Sequence, residues 1–300
     1  MTHVLTLVSA PGKPPALDEA LLLELSAHLP GAGEPAWLDP RRAADIPFAP
    51  PAGIDNRRVQ DAIRLELGDA PVDVFVQKTA HRRKKLFLAD MDSTMIGQEC
   101  IDELADYVGK KAQVAAITER TMRGELVFEE SLQARVALLR GLDASIVDTV
   151  IADRISLTPG GPELVRTMRA HGAWTALVSG GFTVFTRVLA VKIGFDENRA
   201  NVLLAENGKF TGKVAEPILG REAKFETLVE LRARLGLVKD ETMAVGDGAN
   251  DLGMIGEAGL GIAFHAKPAV AAAAHARVDH GDLTALLFAQ GYERREFVGA

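Results

Sequence analysis

Cysteine is nearly absent from this sequence, which has one, Cys100, among its 300 residues. One thiol cannot form a disulfide framework or a thiolate metal site within a single chain, so both are excluded and a reducing compartment is expected. The seven histidines form no pair at ligand spacing, so no zinc site is predicted. Cys100 itself is expected to be a small buried apolar residue.

An excess of positive charge is also missing. The formal net charge is -7 at pH 7, with 34 Lys and Arg residues against 41 Asp and Glu residues. Nucleic acids and anionic membranes are bound by basic surfaces, so neither is predicted as a partner. The basic cluster HRRKK, His81 to Lys85, is short and is predicted to be a solvated linker.

Long apolar runs are missing as well. No segment is long enough to span a bilayer, so no membrane helix is predicted. The N-terminal segment MTHVLTLVSA has no basic flank, and its apolar stretch is too short for a secretory signal peptide. Together with an ordinary hydrophobic fraction of 47%, these absences predict a cytoplasmic globular protein.

Residues 1–80 are predicted to form a small α+β domain. The segments HVLTLV and VDVFVQ are typical of strands, and helical patterns run from Leu21 to His28 and from Val59 to Leu67. The stretch between the two helical patterns is irregular, and FAPPAG, Phe48 to Gly53, interrupts it.

The pattern of apolar and polar residues changes at Lys84. The short apolar runs LFLA, TALVS, TMAVG and LGIAF alternate with helical segments at Glu163 to His171, Phe182 to Ile193 and Lys224 to Leu235. Apolar strands that alternate with helices are typical of a parallel sheet covered on both faces. The predicted fold class is therefore α/β with a doubly wound, mostly parallel, Rossmann-like sheet. Asn207-Gly208 predicts a β-hairpin.

The segment from Cys100 to Arg154 breaks the alternation, because it carries only helical patterns. It lies between the first two predicted strands of the sheet. Ligands of such sheets bind beyond the C-terminal ends of the strands. A helical insertion at this point is therefore predicted to close over the site as a cap.

Four groups of polar residues and glycines lie at or near the predicted strand ends. They are Asp90 with Asp92, Ser179 with Gly180 and Gly181, Lys224, and Asp247 with Asn250 and Asp251. Taken alone, each group has an ordinary structural explanation: a helix cap, a glycine turn, a surface lysine or a tight turn. Their occurrence together in one α/β segment favours a common chemical role.

Phosphoryl transfer is the chemistry that would use all four groups. An ionised carboxylate is a ready nucleophile, and a second carboxyl can protonate the leaving oxygen and then deprotonate water. A glycine turn at a helix N-terminus binds anions, and clustered carboxylates suit Mg²⁺. A divalent cation and the positive neighbours of a phosphate would also offset the repulsion between Asp90 and Asp92.

These motifs resemble those of the haloacid dehalogenase superfamily of phosphatases. The sequence carries D-x-D-x-T at Asp90 to Thr94, then Ser179 and Lys224, and then G-D-x-x-x-D at Gly246 to Asp251. Within that superfamily it is similar to the phosphoserine phosphatase family. This closer similarity covers roughly residues 84–292 and rests on DMDSTMIGQECIDELA, FEESLQARVALL, LTPGG, VSGGF and VGDGANDLGMI.

The resemblance implies a role for each site residue. Asp90 is implied as nucleophile and Mg²⁺ ligand, Asp92 as general acid/base and as a ligand through its backbone carbonyl, and Asp247 as the third ligand. The implied substrate-binding residues are Glu99, Arg135, Ser179, Gly180, Lys224 and Asn250, and the implied supporting residues are Asp251 and Gly181.

Glu99 and Arg135 would recognise the two groups of phosphoserine other than its phosphate. A carboxylate pairs with the ammonium group, and a forked guanidinium suits the carboxylate. The helical pattern alone leaves Arg135 open between the site and water, because it lies next to an apolar stripe. That stripe consists of Phe128, Leu132, Val136 and Leu139.

The expected organisation is an N-terminal domain at residues 1–80, a phosphatase core at 84–98 and 159–293, and a cap at 99–158. Some relatives in the resembled family carry an ACT-like amino-acid-binding domain at the N-terminus. The expected activity is Mg²⁺-dependent hydrolysis of O-phospho-L-serine through an aspartyl phosphate, the last step of L-serine biosynthesis. Another small phosphate monoester, phosphate transfer to an alcohol, and amino-acid sensing by residues 1–80 remain alternatives, and a homodimer is left open.

Overall fold

The structure is a computed structural model that describes residues 1–122 and 125–299. Residues 3–78, here called the N-terminal unit, form an antiparallel sheet with the strand order β2-β3-β1-β4 and two helices. This order and connectivity are those of a ferredoxin-like βαββαβ unit. Its elements are β1 (His3–Ser9), α1 (Glu19–Ala27), β2 (Ala36–Asp39), β3 (Ala43–Phe48), α2 (Asn56–Leu67) and β4 (Val72–Lys78).

The stretch expected to be irregular contains two of these strands, β2 and β3. Their sequences, AWLD and AADIPF, lack the β-branched alternation by which strands are recognised, and β3 contains a proline. Pro47 is tolerated because it lies beyond the part of β3 that pairs with β2. The expected strands β1 and β4 and the helices α1 and α2 are confirmed.

A parallel sheet forms the centre of the remaining chain, with six strands in the described residues in the order β12-β11-β10-β5-β6-β7. The predicted α/β fold class is therefore confirmed. The strands are β5 (Leu86–Ala89), β6 (Trp174–Phe182), β7 (Glu197–Asn201), β10 (Thr242–Gly246), β11 (Leu260–Phe264) and β12 (Ala276–Val278). The helices of this part are α7 (Gly161–Ala170), α8 (Thr183–Ile193), α9 (Arg221–Arg234), α10 (Leu252–Glu257), α11 (Pro268–Ala273) and α12 (Ala285–Ala289).

The apolar run at β5 is explained by burial on both faces of the sheet. All four of its residues are fully buried. Phe87 and Ala89 point into the core on one face, whereas Leu86 and Leu88 pack with Leu228 and other residues on the opposite face. A strand with two buried faces needs an apolar residue at every position, which is the pattern LFLA.

The segment between β5 and β6 is helical, as predicted. It contains α3 (Cys100–Tyr107), α4 (Lys111–Met122), α5 (Phe128–Ala137) and α6 (Ile146–Asp153), while positions 123 and 124 of the predicted cap lie outside the described residues. The hairpin expected at Asn207-Gly208 is also confirmed, between β8 (Leu203–Glu206) and β9 (Lys209–Val214). The hairpin packs on the helical segment, because Phe210 exchanges backbone hydrogen bonds with Gly141 (2.8 Å) and Leu142 (2.9 Å).

The basic cluster at residues 81–85 is only partly a solvated linker: His81, Arg83 and Lys85 are exposed, but the prediction was wrong for Arg82 and Lys84. Arg82 donates to both carboxylate oxygens of Asp45, at 2.6 and 2.7 Å, and to the carbonyl oxygen of Ala289 at 2.9 Å. Lys84 is 6% exposed and donates to the carbonyl oxygen of Asp240 at 2.7 Å. Arg82 thus joins the N-terminal unit to the end of α12, a contact that a local sequence pattern cannot reveal.

The helices of residues 1–122 and 125–299 are short compared with a membrane span. None of them is both long enough and apolar enough to cross a bilayer.

Candidate active site

Asp90 lies at the C-terminal end of β5, where the parallel strands open toward the helical segment. Its backbone N–H donates to the carbonyl oxygen of Val245 on β10, at 3.0 Å. Its carboxylate accepts a hydrogen bond from the N–H of Met91, at 2.8 Å. The chain then turns irregularly through Met91–Met95, with Ser93 at a positive φ of 54°. This turn brings Asp90 and Asp92 into one cleft.

Lys224 is fully buried between two carboxylates. Its ammonium Nζ lies 2.6 Å from Oδ1 of Asp90 and 2.6 Å from Oδ1 of Asp251. Burial lowers the pKa of Lys224, but the carboxylates of Asp251 and Asp90 outweigh that effect and raise the pKa above its ordinary value. Lys224 is therefore a permanent cation at the C-terminal ends of β5 and β10, one turn inside α9 and not on the surface.

Asp90, Asp247 and Asp251 form a cluster of carboxylates. One oxygen from each lies within 4.8 Å of the others. Burial, and next the charge of Asp251, raise the pKa of Asp90 well above its ordinary value. The same two causes raise the pKa of Asp247 to about 6. Lys224 offsets only part of the repulsion among these carboxylates, and a further cation would reduce it more.

Asp92 faces the glycine-rich end of β6. One of its carboxylate oxygens accepts from the N–H of Cys100 at 3.0 Å, and the other lies 3.4 Å from the hydroxyl of Ser179. Burial raises the pKa of Asp92. Gly181 donates its N–H to Ser179 Oγ at 2.8 Å, and a Cβ at Gly181 would lie 2.8 Å from Asp92 Oδ2. Only glycine leaves this approach open.

Asn201 orders the neighbouring backbone, and the sequence analysis missed it. Its amide donates to the carbonyl oxygens of Gly180 (2.9 Å) and Leu219 (3.1 Å), and its Oδ1 accepts from the N–H of Leu219 (2.7 Å). Asn201 is the last residue of β7, whose polar sequence ENRAN hid the strand. Because the strand itself was not recognisable, no local signal marked Asn201 as a residue at a strand end.

The loop after β10 fixes the remaining polar groups. Oδ2 of Asp251 accepts from the N–H of Gly248 at 3.1 Å, which closes a short turn. A Cβ at Gly246 would overlap the Asp251 carboxyl, and one at Gly248 would overlap Asn250 Oδ1. The glycines thus let Asp251 reach Lys224 and hold Asn250, which is partly exposed, in the same loop.

Glu99 and Arg135 lie on the cap side of the cleft. Glu99 accepts a hydrogen bond from the hydroxyl of Ser93 at 2.7 Å. Partial desolvation, and next the charge of Asp92, raise the pKa of Glu99 to about 7, although its side chain keeps contact with solvent. Burial lowers the pKa of the partly buried Arg135, while the charges of Glu99, Asp102 and Asp92 oppose that shift. Arg135 is thus close enough to Glu99, Asp102 and Asp92 to feel their charges, and it forms no ion pair with any of the three.

Phe128 belongs to the predicted apolar stripe and also touches the opposite wall of the cleft. Leu132, Val136 and Leu139 of that stripe are buried. Phe128 packs against the same apolar cluster and also lies against the glycine turns: a Cβ at Gly180 or at Gly220 would be 3.3 Å from its ring. The cap is therefore closed on the glycine-rich end of β6.

Comparison with known proteins agrees with this geometry. Residues 87–255 match the haloacid dehalogenase-like hydrolase family. The chain is 47% identical over 208 residues to the phosphoserine phosphatase of Albidiferax ferrireducens, an alignment that covers 68% of this chain and 88% of that protein.

The chain belongs to the phosphoserine phosphatase family of haloacid dehalogenase-like hydrolases. A second member, the phosphoserine phosphatase of Streptomyces coelicolor, is 43% identical over 251 residues, or 83% of this chain. The chain spans only 61% of that relative's own length. A solved haloacid dehalogenase family hydrolase from Salmonella enterica serovar Typhi matches 96% of this chain and 97% of its own, with a TM-score of 0.82 and 29% identity. That likeness extends over the N-terminal unit as well.

Members of the wider hydrolase family generally use Mg²⁺, and the carboxylate cluster of this phosphoserine phosphatase homologue suits that ion. Mg²⁺ prefers a few carboxylate oxygens together with water and substrate phosphate. Asp90, Asp247 and Asp251 supply such oxygens at a mutual spacing of 4.8 Å or less. The side chain of Asp92 is not in that group, and it faces Cys100 and Ser179 instead.

The raised pKa of Asp247 predicts that the free energy of unfolding of the metal-free protein falls as the pH rises. The folded-state pKa is about 6 against an ordinary 3.8, so between these values the folded state binds more protons than the unfolded state. Stability from this group is therefore lost as the pH rises from about 4 to about 6, by at most about 3 kcal/mol. In EDTA we expect Asp247→Asn to be more stable than the wild type at pH 7 and equal to it at pH 4, by urea unfolding.

The exposed substitution Asp69→Asn is the matched control and should leave the pH profile unchanged. Mg²⁺ at pH 7 should stabilise the wild type more than Asp247→Asn, because the ion needs the carboxylate. In EDTA, the stability of the wild type and of Asp247→Asn could instead rise in parallel toward pH 7. That result would contradict the raised pKa of Asp247.

Proposed function

We propose that the chain hydrolyses O-phospho-L-serine to L-serine and phosphate through an aspartyl phosphate on Asp90, with Mg²⁺ as cofactor. In this proposal residues 84–98 and 159–293 form the catalytic core, and residues 99–158 form the cap. The observation that carries it is the meeting, in one cleft, of Asp90 beside Lys224, Asp92 beside Ser179, and the cap residues Glu99 and Arg135. Family membership supports the same reaction.

In the first step a carboxylate oxygen of Asp90 attacks phosphorus, and the bond from phosphorus to the serine oxygen breaks. Asp92 donates its proton to that departing oxygen; burial favours the protonated form of Asp92 by raising its pKa. The cation of Lys224 and the Ser179 hydroxyl hold the phosphate oxygens, together with the amide of Asn250 and the N–H of Gly180. Gly181 keeps the approach open.

In the second step water attacks the phosphorus of the aspartyl phosphate. Asp92, now ionised, accepts the proton of that water, and phosphate leaves as the Asp90 carboxylate is restored. Asp90, Asp247 and the Asp92 carbonyl would hold Mg²⁺, and Asp251 would support both the ion and Lys224. When bound, the ion supplies charge neutralisation and orientation of the phosphate. The product would make this the last step of L-serine biosynthesis.

Glu99 and Arg135 are the residues that support phosphoserine as the proposed substrate. The Glu99 carboxylate suits an ammonium group, and the guanidinium of Arg135 suits a carboxylate. Among the described residues, no carboxylate lies within ion-pair distance of Arg135, whose Nε donates to the Ser131 carbonyl oxygen at a long 3.3 Å. The guanidinium therefore remains available for the substrate.

Phosphate release from a panel of esters tests this specificity. We expect L-phosphoserine to be preferred over O-phosphoethanolamine, which lacks the carboxylate, and over 3-phosphoglycerate, which lacks the ammonium group. Arg135→Met should lower kcat/KM for L-phosphoserine about 100-fold, because a charged substrate group loses its partner, and should barely change it for O-phosphoethanolamine. The exposed Arg140→Met is the matched control and should change neither value.

Equal turnover of all three esters would remove the roles given to Glu99 and Arg135 and leave a phosphatase of broader substrate range. Formation of a new phosphate ester when an alcohol is added would instead indicate phosphate transfer. Saturable serine binding by a wild type that hydrolyses none of the esters would favour the sensor function.

A further inference from the structure

One buried carboxylate of the N-terminal unit fixes a loop of the parallel-sheet region. Asp73, on β4 and 2% exposed, accepts from the backbone N–H groups of Asp279 (2.8 Å) and His280 (3.1 Å) on Oδ1 and of Gly281 (2.7 Å) on Oδ2. Such charge-assisted hydrogen bonds are stronger than neutral ones. A Cβ at Gly281 would lie 2.7 Å from Asp73 Oδ2. Asp73 therefore determines the path of residues 279–284, here called the clamp loop.

The clamp loop in turn packs on the chain that returns from the cap. The N–H of Leu283 donates to the carbonyl oxygen of Pro159 at 3.1 Å. Gly160, at a φ of 77°, approaches so closely that a Cβ there would lie 2.6 Å from the backbone nitrogen of Thr284. No other residue type fits this position, because both the space and the backbone angle require glycine.

Pro159 directly follows the cap hinge, defined here as residues 95–98 and 156–158. The outgoing and returning segments are paired: Thr158 N–H donates to the Met95 carbonyl oxygen at 3.0 Å, and Gly97 N–H donates to the Ser156 carbonyl oxygen at 3.1 Å. Ile96 and Leu157 form an antiparallel bridge between them. The cap is joined covalently to the core through these two segments.

The hinge is hydrogen-bonded to the residues around Asp92 and Glu99. The N–H of Ser93 donates to the carbonyl oxygen of Gln98 at 3.3 Å, and the hydroxyl of Ser93 holds Glu99 at 2.7 Å. The N–H of Cys100 donates to Asp92 Oδ1 at 3.0 Å. A change in the angle of the hinge would therefore move the partners of Asp92 and Glu99.

We propose that Asp73 is a positioning residue for the phosphatase reaction. By fixing the clamp loop it sets the cap hinge, and the hinge aligns Glu99 and the Cys100 N–H with Asp92. The N-terminal unit thus supports the geometry of a site that it does not touch. The kinetic consequence rests on the proposed function, whereas the structural consequence is measured without substrate.

Asp73→Asn is the direct test in the full chain. Asparagine keeps the shape of the side chain, but its NH₂ group cannot accept a hydrogen bond, so at least one clamp-loop N–H loses its partner. By hydrogen exchange, we expect faster exchange at the hinge amides of Gly97 and Thr158. We also expect kcat for L-phosphoserine to fall about 2- to 30-fold, the range of an indirect coupling between sites.

Asp45→Asn is the matched control. Asp45 is also a buried carboxylate of the N-terminal unit, and through Arg82 it joins that unit to the end of α12 without touching the clamp loop. It should lower the unfolding midpoint, as Asp73→Asn does, while hinge exchange stays unchanged and kcat stays within about twofold of the wild type. A purely structural role predicts the same behaviour for both variants.

Unchanged hinge exchange in a folded Asp73→Asn protein would overturn the proposal. Should that variant fail to fold, Gly281→Ala tests the same contact from the other side, because its methyl group would displace the loop from Asp73 Oδ2. Unchanged hinge exchange in Gly281→Ala would then overturn it. If the wild type does not hydrolyse L-phosphoserine, the proposed function fails, but the comparison of hinge exchange still decides the role of Asp73.

Discussion

Replacing Asp90 with asparagine is expected to lower phosphate release from L-phosphoserine by about a thousandfold or more. An amide is not a competent nucleophile, so the aspartyl phosphate cannot form. The protein should remain folded, because asparagine keeps the shape of the side chain and Lys224 keeps Asp251 as its partner. Release of inorganic phosphate, measured with Mg²⁺ at saturating substrate, is the assay.

The same substitution at an exposed cap aspartate, Asp106→Asn, is the control and should retain full activity. Acid-quenched wild type incubated with labelled substrate should carry one labelled phosphate, and Asp90→Asn should carry none. A variant that turns over within tenfold of the wild-type rate would assign the nucleophile to another group or to water directly.

Replacing Lys224 with methionine is expected to damage both activity and stability. Methionine approximates the length of the lysine chain but leaves Asp90, Asp247 and Asp251 clustered without their cation. Breaking a buried ion pair in this way costs about 3–5 kcal/mol of the free energy of unfolding. Loss of one charged group from the phosphate site should lower kcat about 100- to 1000-fold. Urea unfolding in EDTA and phosphate release are the two measurements.

The double variant Lys224→Met/Asp251→Asn separates the two effects. Removing the Asp251 charge should restore part of the stability, because one uncompensated buried carboxylate disappears, while activity remains low. The exposed Lys192→Met controls for the substitution itself and should change neither measurement. A double variant that is less stable than Lys224→Met would show that Lys224 contributes by packing and not by charge.

Part of the active site could be predicted because its residues lie next to strand ends. Asp90, Ser179 and Asp247 each follow an apolar run, and parallel strands end at one edge of a sheet. The structure brings these residues together with Lys224 and Asp251. The functional roles given to them stay predictions until the variants are measured.

The roles of other residues could not be predicted, because the groups that they contact lie far away in the sequence. Asn201 ends a strand whose polar sequence gives no strand signal, and it is paired with Gly180 and Leu219. Phe128 belongs to an apolar helical stripe, and its additional contact with the glycine turns follows only from the tertiary structure. From the sequence, Asp73 resembles a strand residue that faces solvent. Nothing near it indicates that N–H groups of a loop 206 residues later donate to its carboxylate.

The sequence by itself determined the α/β class, the helical insertion after the first strand of the parallel sheet and the family. Apolar runs, helical periods and motif spacing are local, and local geometry follows from local residues. The tertiary structure decided the burial of Lys224 between Asp90 and Asp251, the pairing of Arg82 with Asp45 inside the expected linker, and the path from Asp73 to the cap hinge. These features depend on which groups, distant in the sequence, are buried together. An unpaired charge or N–H group is energetically costly in a buried position, so each must have a partner.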